Sequence, residues 1–376
     1  MLRWLKNVLF LAGKEFRSLF SDPILIILIV YMFSVALVSV ATSITTEVKN
    51  ASIAIVDHDR SALSYRLQSS LIAPNFKTVR EIEAHAVDRL MDTGTYTFVL
   101  DIPPGYEKAI LAGRNPKIQL LVDATAMTQA AIGSSYISQI FNSEINSFLH
   151  TATNNRLLPL ETTINVLYNP NHSSVQFMGT MQIVGNLNLL TLLLVGAAVI
   201  RERERGTLEH LLVMPIRSSE IAVAKILANG LVLLVVVILA LRYISHGILD
   251  APLTEGSLPL FTLGAATYIF AISSLGIMLA IFAPTMPQFG LLCIPVYVVM
   301  YLLSGTMSPL ENMPILAQQI TQFSPTTLFG AFTQDVVFRG AGFDIVWDKL
   351  LKMMGIGAIF LVIALFQFRS MLSKQG

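Results

Sequence analysis

The stretch PILIILIVYMFSVALVSVATSITT, residues 23–46, carries no charged side chain. A helix that crosses a bilayer needs about 20 predominantly apolar residues. At roughly −0.3 to −0.6 kcal/mol for each central Ile, Leu, Val or Phe, this one inserts by several kcal/mol. The same reading finds further spans downstream. Residues 173–200 are uncharged and end at the block RERER, 201–205. Residues 221–241 are interrupted only by Lys225, whose long stem is expected to snorkel towards the membrane surface. Residues 256–310 hold no charge and are too long for one crossing; Pro284 and Pro287 divide them into helices over 258–282 and 288–304. A last run within 350–369 lies between Lys349, Lys352 and Arg369. The expectation is an α-helical polytopic membrane protein with six transmembrane helices.

Composition agrees. Of 376 residues, 54% are hydrophobic and 13% charged, against roughly 25% charged in soluble domains, and the mean hydropathy is +0.65. This excludes a cytosolic enzyme. A net charge of +1 without any Lys/Arg tract excludes a basic nucleic-acid binder. The single cysteine, Cys293, can form neither an internal disulfide nor a cysteine-based metal site and reads as a small buried hydrophobe.

The distribution of Lys and Arg over short loops sets orientation. One side gathers Arg3, Lys6, Lys14, Arg17, Arg201, Arg203, Arg205, Arg217, Arg369 and Lys374; the other offers Arg242, Arg339 and Lys349. Both termini are expected in the cytoplasm. The first run exceeds the 7–15 residues of a usual signal core and reads as an uncleaved span.

Residues 47–172 then form an extracytoplasmic domain inserted between spans one and two. SIAIVD (52–57), YTFVLDI (96–102), KIQLLVD (117–123) and TTINVLY (162–168) read as strands. SALSYRLQSSL (61–71) reads as a helix capped by Asp59 or Ser61. AHAVDRLMDTG ends at Gly94, PGYEKAILAG ends at Gly113, and residues 128–150 make a long helix. The alternation predicts an α/β sandwich with a partly parallel sheet. Asp57, His58 and Asp59 resemble metal ligands, but a strand end followed by helix-capping acids is the better reading, and no metal is expected.

No P-loop, dinucleotide fingerprint, HExxH or GxSxG motif occurs. The informative segment is RERERGTLEHLLVMPIRSSE, residues 201–220. Leu208, Leu211 and Leu212 recur at helical spacing, Thr207 can cap, and Pro215 ends the turn. A topology anchor explains the arginines but not the interleaved glutamates or the apolar face, which calls for a protein partner. In span two, Gln182 and Asn186 share a face with Met178, and polar groups at membrane depth face a bundle or a cavity. In span five, Pro295 precedes Tyr297, Met300 and Ser304.

E-R-E-x-G-T-x-E-x-L followed by proline resembles the coupling segment of type-2 ATP-binding-cassette (ABC) exporter permeases, through Arg203, Glu204, Gly206, Thr207, Glu209, Leu211 and Pro215, with Leu212 beside them. LFLAGKEFRSLFSDP ahead of span one is similar to the family's interfacial helix, with Lys14, Glu15 and Arg17. LLSGTMSPLENMP is similar to its outer re-entrant segment, with Ser304, Gly305, Pro309, Met313 and Pro314. The large loop after span one resembles the long-form bacterial branch. The organisation implied is an interfacial helix over 1–22, span one over 23–46, the outer domain over 47–172, and a five-span membrane domain over 173–376 with coupling segment 201–220 and re-entrant segment 304–330. The resemblance implies a permease subunit of an ATP-driven exporter in the bacterial inner membrane. It would dimerise with an identical or paralogous permease chain and work with a separate ATP-binding subunit, which holds the ATP and Mg; this chain binds no cofactor. Spans two and five would line the route, through Met178, Gln182, Asn186, Tyr297 and Met300, for an amphipathic or hydrophobic substrate, and a periplasmic adaptor could receive the cargo. Two alternatives are a membrane-anchored sensor or scaffold with a ligand-binding outer domain and an ion-coupled transporter; the first has no need of a coupling segment, and the second wants ionisable groups that the spans lack.

Overall fold

The structure is a computed structural model; it describes residues 2–43, 50–73, 75–123, 127–153, 173–204, 217–253, 256–307 and 310–373. The chain divides into two compact units, residues 1–44 with 167–376, and residues 45–166.

The first unit begins with α1 (Leu2–Phe20), whose apolar side chains gather on one face. Asp22 then caps α2 (Pro23–Phe33), accepting the Leu25 N–H at 3.3 Å, with Pro23 in the first turn where its missing N–H costs nothing. A break at Ser34 separates α2 from α3 (Val35–Ser43).

The second unit folds around a four-stranded sheet. In chain order its elements are β1 (Ile53–Asp57), α4 (Ala62–Ser70), β2 (Arg80–Glu81), α5 (Val87–Asp92), β3 (Phe98–Ile102), α6 (Tyr106–Leu111), β4 (Gln119–Val122) and α7 (Met127–Thr153). The strand order is β2-β1-β3-β4, with β2–β1 and β1–β3 parallel and β3–β4 antiparallel. Side chains alternate across the strands. Ile53, Ile55, Phe98 and Leu100 pack against α4 and α7, while Ala54, Val56 and Val99 pack against α5. Three of the four expected strands form here, and the fourth, 162–168, lies outside the described residues. The two-residue β2 is too short to leave a periodic signal and was not expected.

Of the two residues offered as the cap of α4, the structure selects one and gives the other a different helix. Ser61 alone caps α4, in a reciprocal box with Ser64. Asp59 instead caps α6, accepting the N–H groups of Tyr106 at 2.9 Å and Glu107 at 3.0 Å, while Glu107 accepts the N–H of Leu63 at 2.9 Å. Asp57 binds the Ser64 hydroxyl and its own loop. Asp59 thus serves as a helix cap, and Asp57 orders the turn ahead of α4.

The helical unit resumes with α8 (Ser174–Glu204), α9 (Ser218–Leu239, continued by a π-type turn over Ala240–His246), α10 (Ser257–Phe282), α11 (Met286–Leu302), α12 (Ile315–Thr321), α13 (Pro325–Thr333, followed by a π-type turn over Gln334–Phe338) and α14 (Phe343–Ser373). Among the described residues five helical stretches are long and apolar enough to cross a membrane: Pro23–Ser43, Ser174–Glu204, Ser218–His246, Ser257–Phe282 and Phe343–Gln367. The run expected over 288–304 forms α11, which is apolar but 17 residues long. Helix α8 is buried along most of its length and forms the axis of this unit. Glycines let its neighbours approach: a Cβ on Gly185 would strike the Tyr301 ring, and one on Gly196 the Phe289 ring, both on α11.

Candidate functional site

Four ionisable side chains from three helices meet at one end of the helical unit. Helix α1 lies along the start of α9, with Val8, Leu11 and Ala12 against Ile221, Ala224 and Ala228. That packing carries Lys14 and Glu15 to Glu202, near the end of α8, and to Lys225 on α9. Lys14 pairs with Glu202 at 2.9 Å, and Lys225 pairs with Glu15 at 2.7 Å and Glu202 at 2.8 Å. The Lys225 ammonium also donates to the Ala198 carbonyl at 3.0 Å, so each of its three protons has an acceptor. The expectation that Lys225 snorkels is therefore corrected. The side chain is 2% exposed, and a buried ammonium persists only when paired and hydrogen-bonded. Two lysines and two glutamates leave the knot formally neutral. Arg17, the third residue expected to matter on α1, is exposed.

The charged end of α8 reaches farther. Arg201 pairs with Asp22 at 3.4 Å, ahead of α2. Arg203 donates to the Ala283 carbonyl at 3.4 Å, where α10 ends, and Glu204 accepts the Met286 N–H at 2.8 Å, where α11 begins. Consecutive residues thus satisfy an orphan carbonyl and an orphan amide on either side of one tight turn. A carboxylate at a helix N-terminus is also favoured by the helix dipole. Across the segment, Glu220 accepts the Arg217 N–H at 3.0 Å and the Asn7 amide at 3.3 Å. Gly206, Thr207, Glu209, Leu211, Leu212 and Pro215 lie outside the described residues.

Deeper in the unit, the polar residues of α8 form a relay. The Tyr301 hydroxyl donates to Gln182 at 3.1 Å, Gln182 donates to Asn186 at 2.9 Å, and Asn186 donates to the Met32 carbonyl at 2.6 Å. Met32 sits just before the break at Ser34, so Asn186 meets a carbonyl near the end of α2. Asn186 is 1% exposed. Gln182 and Asn186 thus join α2, α8 and α11 within one chain. Met178 is half-buried one turn away from Gln182, and Tyr297, half-buried, stacks on Tyr301 with ring centroids 5.7 Å apart; Met300 is also half-buried. Thr180 meets Ser245 at 2.8 Å and Asn188 meets Thr326 at 2.9 Å.

At the far end of α11, Ser304 donates to the Tyr301 carbonyl at 2.6 Å and meets the Thr306 hydroxyl at 2.6 Å. Gly305 adopts φ +79°, a left-handed conformation that favours glycine. Pro314 precedes α12, and the Met313 carbonyl accepts the Gln318 amide at 2.8 Å. Pro309 lies outside the described residues. The sequence alone assigns Glu202 no role and reads Lys225 only as a snorkelling side chain. The available signal was a lone lysine in an apolar run, which demands buried carboxylates.

Comparison with known proteins now adds to this geometry. A family model for ABC-2 family transporter proteins matches residues 20–366. The chain is 45% identical over 377 residues, all of both chains, to the "Inner membrane transport permease YhhJ" of Escherichia coli (strain K12). It is 28% identical over 357 residues, 93% of this chain and 94% of the relative, to the "Probable multidrug ABC transporter permease YbhR" of the same organism. A more remote relative, the "ABC transporter G family member 20" of Dictyostelium discoideum, is 24% identical over 277 residues, 70% of this chain and 37% of its own length. The matched region runs through both structural units and both ends of the helical one, and the chain belongs to the ABC-2 family of transporter proteins, as a transport permease of the ATP-binding-cassette class.

Proposed function

We propose that this permease is the membrane subunit of an ATP-driven exporter in the bacterial inner membrane. In this reading it crosses the bilayer six times, with α11 as the short additional crossing, and holds both termini in the cytoplasm and residues 47–172 outside. A separate ATP-binding subunit docks on residues 201–220. The observation that carries the proposal is the clamp of Arg203 and Glu204 on the turn between α10 and α11. A partner that displaces the coupling segment thereby moves the start of α11 directly, without relying on deformation of the buried α8.

A second permease chain, identical or paralogous, completes the route. Leu291, Ile294, Val298 and Leu302 form an exposed apolar stripe on α11, the surface this reading assigns to that second chain. Tyr297 and Met300 on the same helix, with Met178, Gln182 and Asn186 on α8, flank the path for an amphipathic or hydrophobic substrate. The relatives' printed names, an inner membrane transport permease and a probable multidrug permease, support both the location and the substrate class. A periplasmic adaptor is the proposed partner of the outer unit.

The test is reconstitution of the chain with a co-expressed ATP-binding subunit in proteoliposomes. The expected result is a stable complex whose ATP hydrolysis rises with amphipathic cations or drugs and accompanies their export. A chain that purifies free of any ATP-binding subunit would contradict the proposal.

A further inference from the structure

Helix α1 has three faces, and its packing on α9 uses one of them. Val8, Leu11, Ala12 and Leu19 are buried, the first three of them against α9. Leu5, Leu9, Phe16 and Phe20 recur at helical spacing on the next face. Leu5, Leu9 and Phe20 are exposed there, and Phe16 stacks on Phe20 with ring centroids 6.3 Å apart. Arg3, Lys6, Phe10 and Arg17 share the third face, and all four are exposed. An open apolar sector beside a cationic one calls for a partner other than water. The cations meet no acid. Glu15, the only acid on α1, is turned inward to Lys225. Lys14 and Lys225 are balanced by Glu15 and Glu202, Arg201 by Asp22, Arg203 by its neighbour Glu204, and Arg217 by the nearby Glu220. Residues 205–216 add Arg205 and Glu209, which cancel, and residues 369–376 add only Arg369 and Lys374. Arg3, Lys6 and Arg17 are the surplus, and none of their side chains has an ion pair among the described residues. Only Ser21 and Asp22 separate α1 from α2, where the first apolar stretch long enough to cross a membrane begins. The exposed apolar side chains continue from Phe20 to Ile24 and Ile27 on that stretch, so this end of α1 stands at the bilayer surface.

We infer that α1 binds anionic phospholipids of the membrane surface. Leu5, Leu9, Phe16 and Phe20 enter the boundary of the acyl chains, while Arg3, Lys6 and Arg17 gather phosphate headgroups. An amphipathic helix with Lys and Arg on its polar side is suited to lying in the membrane interface. Position at the interface does not by itself imply selection by headgroup charge; the uncompensated cations supply it, since each Lys or Arg near the surface adds attraction for anionic lipid. The inference does not depend on where an ATP-binding subunit docks.

Fluorescence quenching in lipid nanodiscs tests this, with bimane attached at Leu9→Cys in the full chain carrying Cys293→Ala. Two preparations share one composition, phosphatidylcholine with a minor fraction of phosphatidylglycerol. In one the phosphatidylglycerol carries brominated acyl chains, which quench on contact; in the other an equal amount of the phosphatidylcholine does. The expected result is at least ~3-fold stronger quenching by the brominated phosphatidylglycerol, within the roughly 5-fold that a single surface cation supplies. The preference should fall in high salt, which screens exposed charges. The triple variant Arg3→Gln, Lys6→Gln, Arg17→Gln should be quenched equally by both lipids. A label at Ile359→Cys, exposed on α14, should show no preference in any of these. Absence of quenching at position 9 would mean that protein or water covers this face and would overturn the inference. Equal quenching by the two lipids in the otherwise unchanged chain, or an undiminished preference in the triple variant, would overturn it as well. Should the triple variant fail to fold, the salt series on the chain with its native cations decides: loss of the preference is expected, and persistence is contradictory.

Discussion

Lys225 shows how one side chain can tie three helices together. Its ammonium is enclosed by Glu15, Glu202 and the Ala198 carbonyl, so removing it takes the paired cation from Glu15 and leaves Glu202 with Lys14 alone. Breaking a buried pair from one side costs about 3–5 kcal/mol, whereas replacing all partners by neutral groups of similar volume is often close to neutral. Lys225→Met should therefore lower the thermal unfolding midpoint of the detergent-purified chain sharply. The triple change Lys225→Met, Glu15→Gln, Glu202→Gln should recover most of the loss. No recovery in the triple variant would mean that packing, not charge, dominates at this position. Asp59 makes a smaller case in the other unit. Burial raises its carboxyl pKa, but the hydrogen bonds from Ser61 and from the backbone of Glu107, Tyr106 and Gly105 together hold it below its ordinary value of 3.8. A lowered folded-state value stabilises the fold above the unfolded pKa and is lost as pH falls through the folded one. Asp59→Asn keeps an acceptor oxygen and loses the charge, so it should differ from wild type at neutral pH by the ~0.3–1 kcal/mol of a charge at a helix start, and the difference should shrink as pH drops below 3.8. Chemical denaturation followed by a probe in residues 45–166 measures both.

Between elements, close packing and capping carry the argument. Helix α11 approaches α8 only because Gly185 and Gly196 leave room for Tyr301 and Phe289. Gly196→Leu forces the Phe289 ring to move, and overpacking of this kind costs about 1–3 kcal/mol. The variant should insert yet show a lower unfolding midpoint, while Gly290→Leu, where a Cβ meets open space, should be tolerated. Glu204 acts at the same boundary. Its carboxylate caps α11 rather than its own helix, so Glu204→Lys replaces a favourable charge at a helix start by an unfavourable one and removes an accepted hydrogen bond. Membrane insertion and the fold of residues 45–166 should survive, and coupled transport should be lost. Glu204→Gln, which keeps an acceptor oxygen, should retain part of it. Wild-type transport in Glu204→Lys would remove the clamp from the mechanism.

For the whole molecule, the helices were legible because their signal is local. The spans expected over 258–282 and 288–304 appear as Ser257–Phe282 and Met286–Leu302, since Pro284 and Pro287 mark a turn without reference to anything distant. Three strands of the sheet were legible for the same reason, through alternation of apolar residues. The charge knot was not, because Glu15 and Lys225 stand 210 positions apart and only the packing of α1 along α9 joins them. Nor did the pattern of Gln182 and Asn186 reveal their partners: spacing placed both on one face, but the Met32 carbonyl is made available by a helix break at Ser34 that no residue type announces. The central claim concerns residues 206–215, which the resemblance assigns to the ATP-binding subunit. Photo-crosslinking tests it directly, with a benzoyl-phenylalanine placed at Leu212 and, as a control, at the exposed Ile72 of the other unit. The account predicts a covalent adduct with the co-expressed ATP-binding subunit from position 212 and none from position 72. An adduct from position 72 alone, or none from 212 while the complex stays intact, would contradict it.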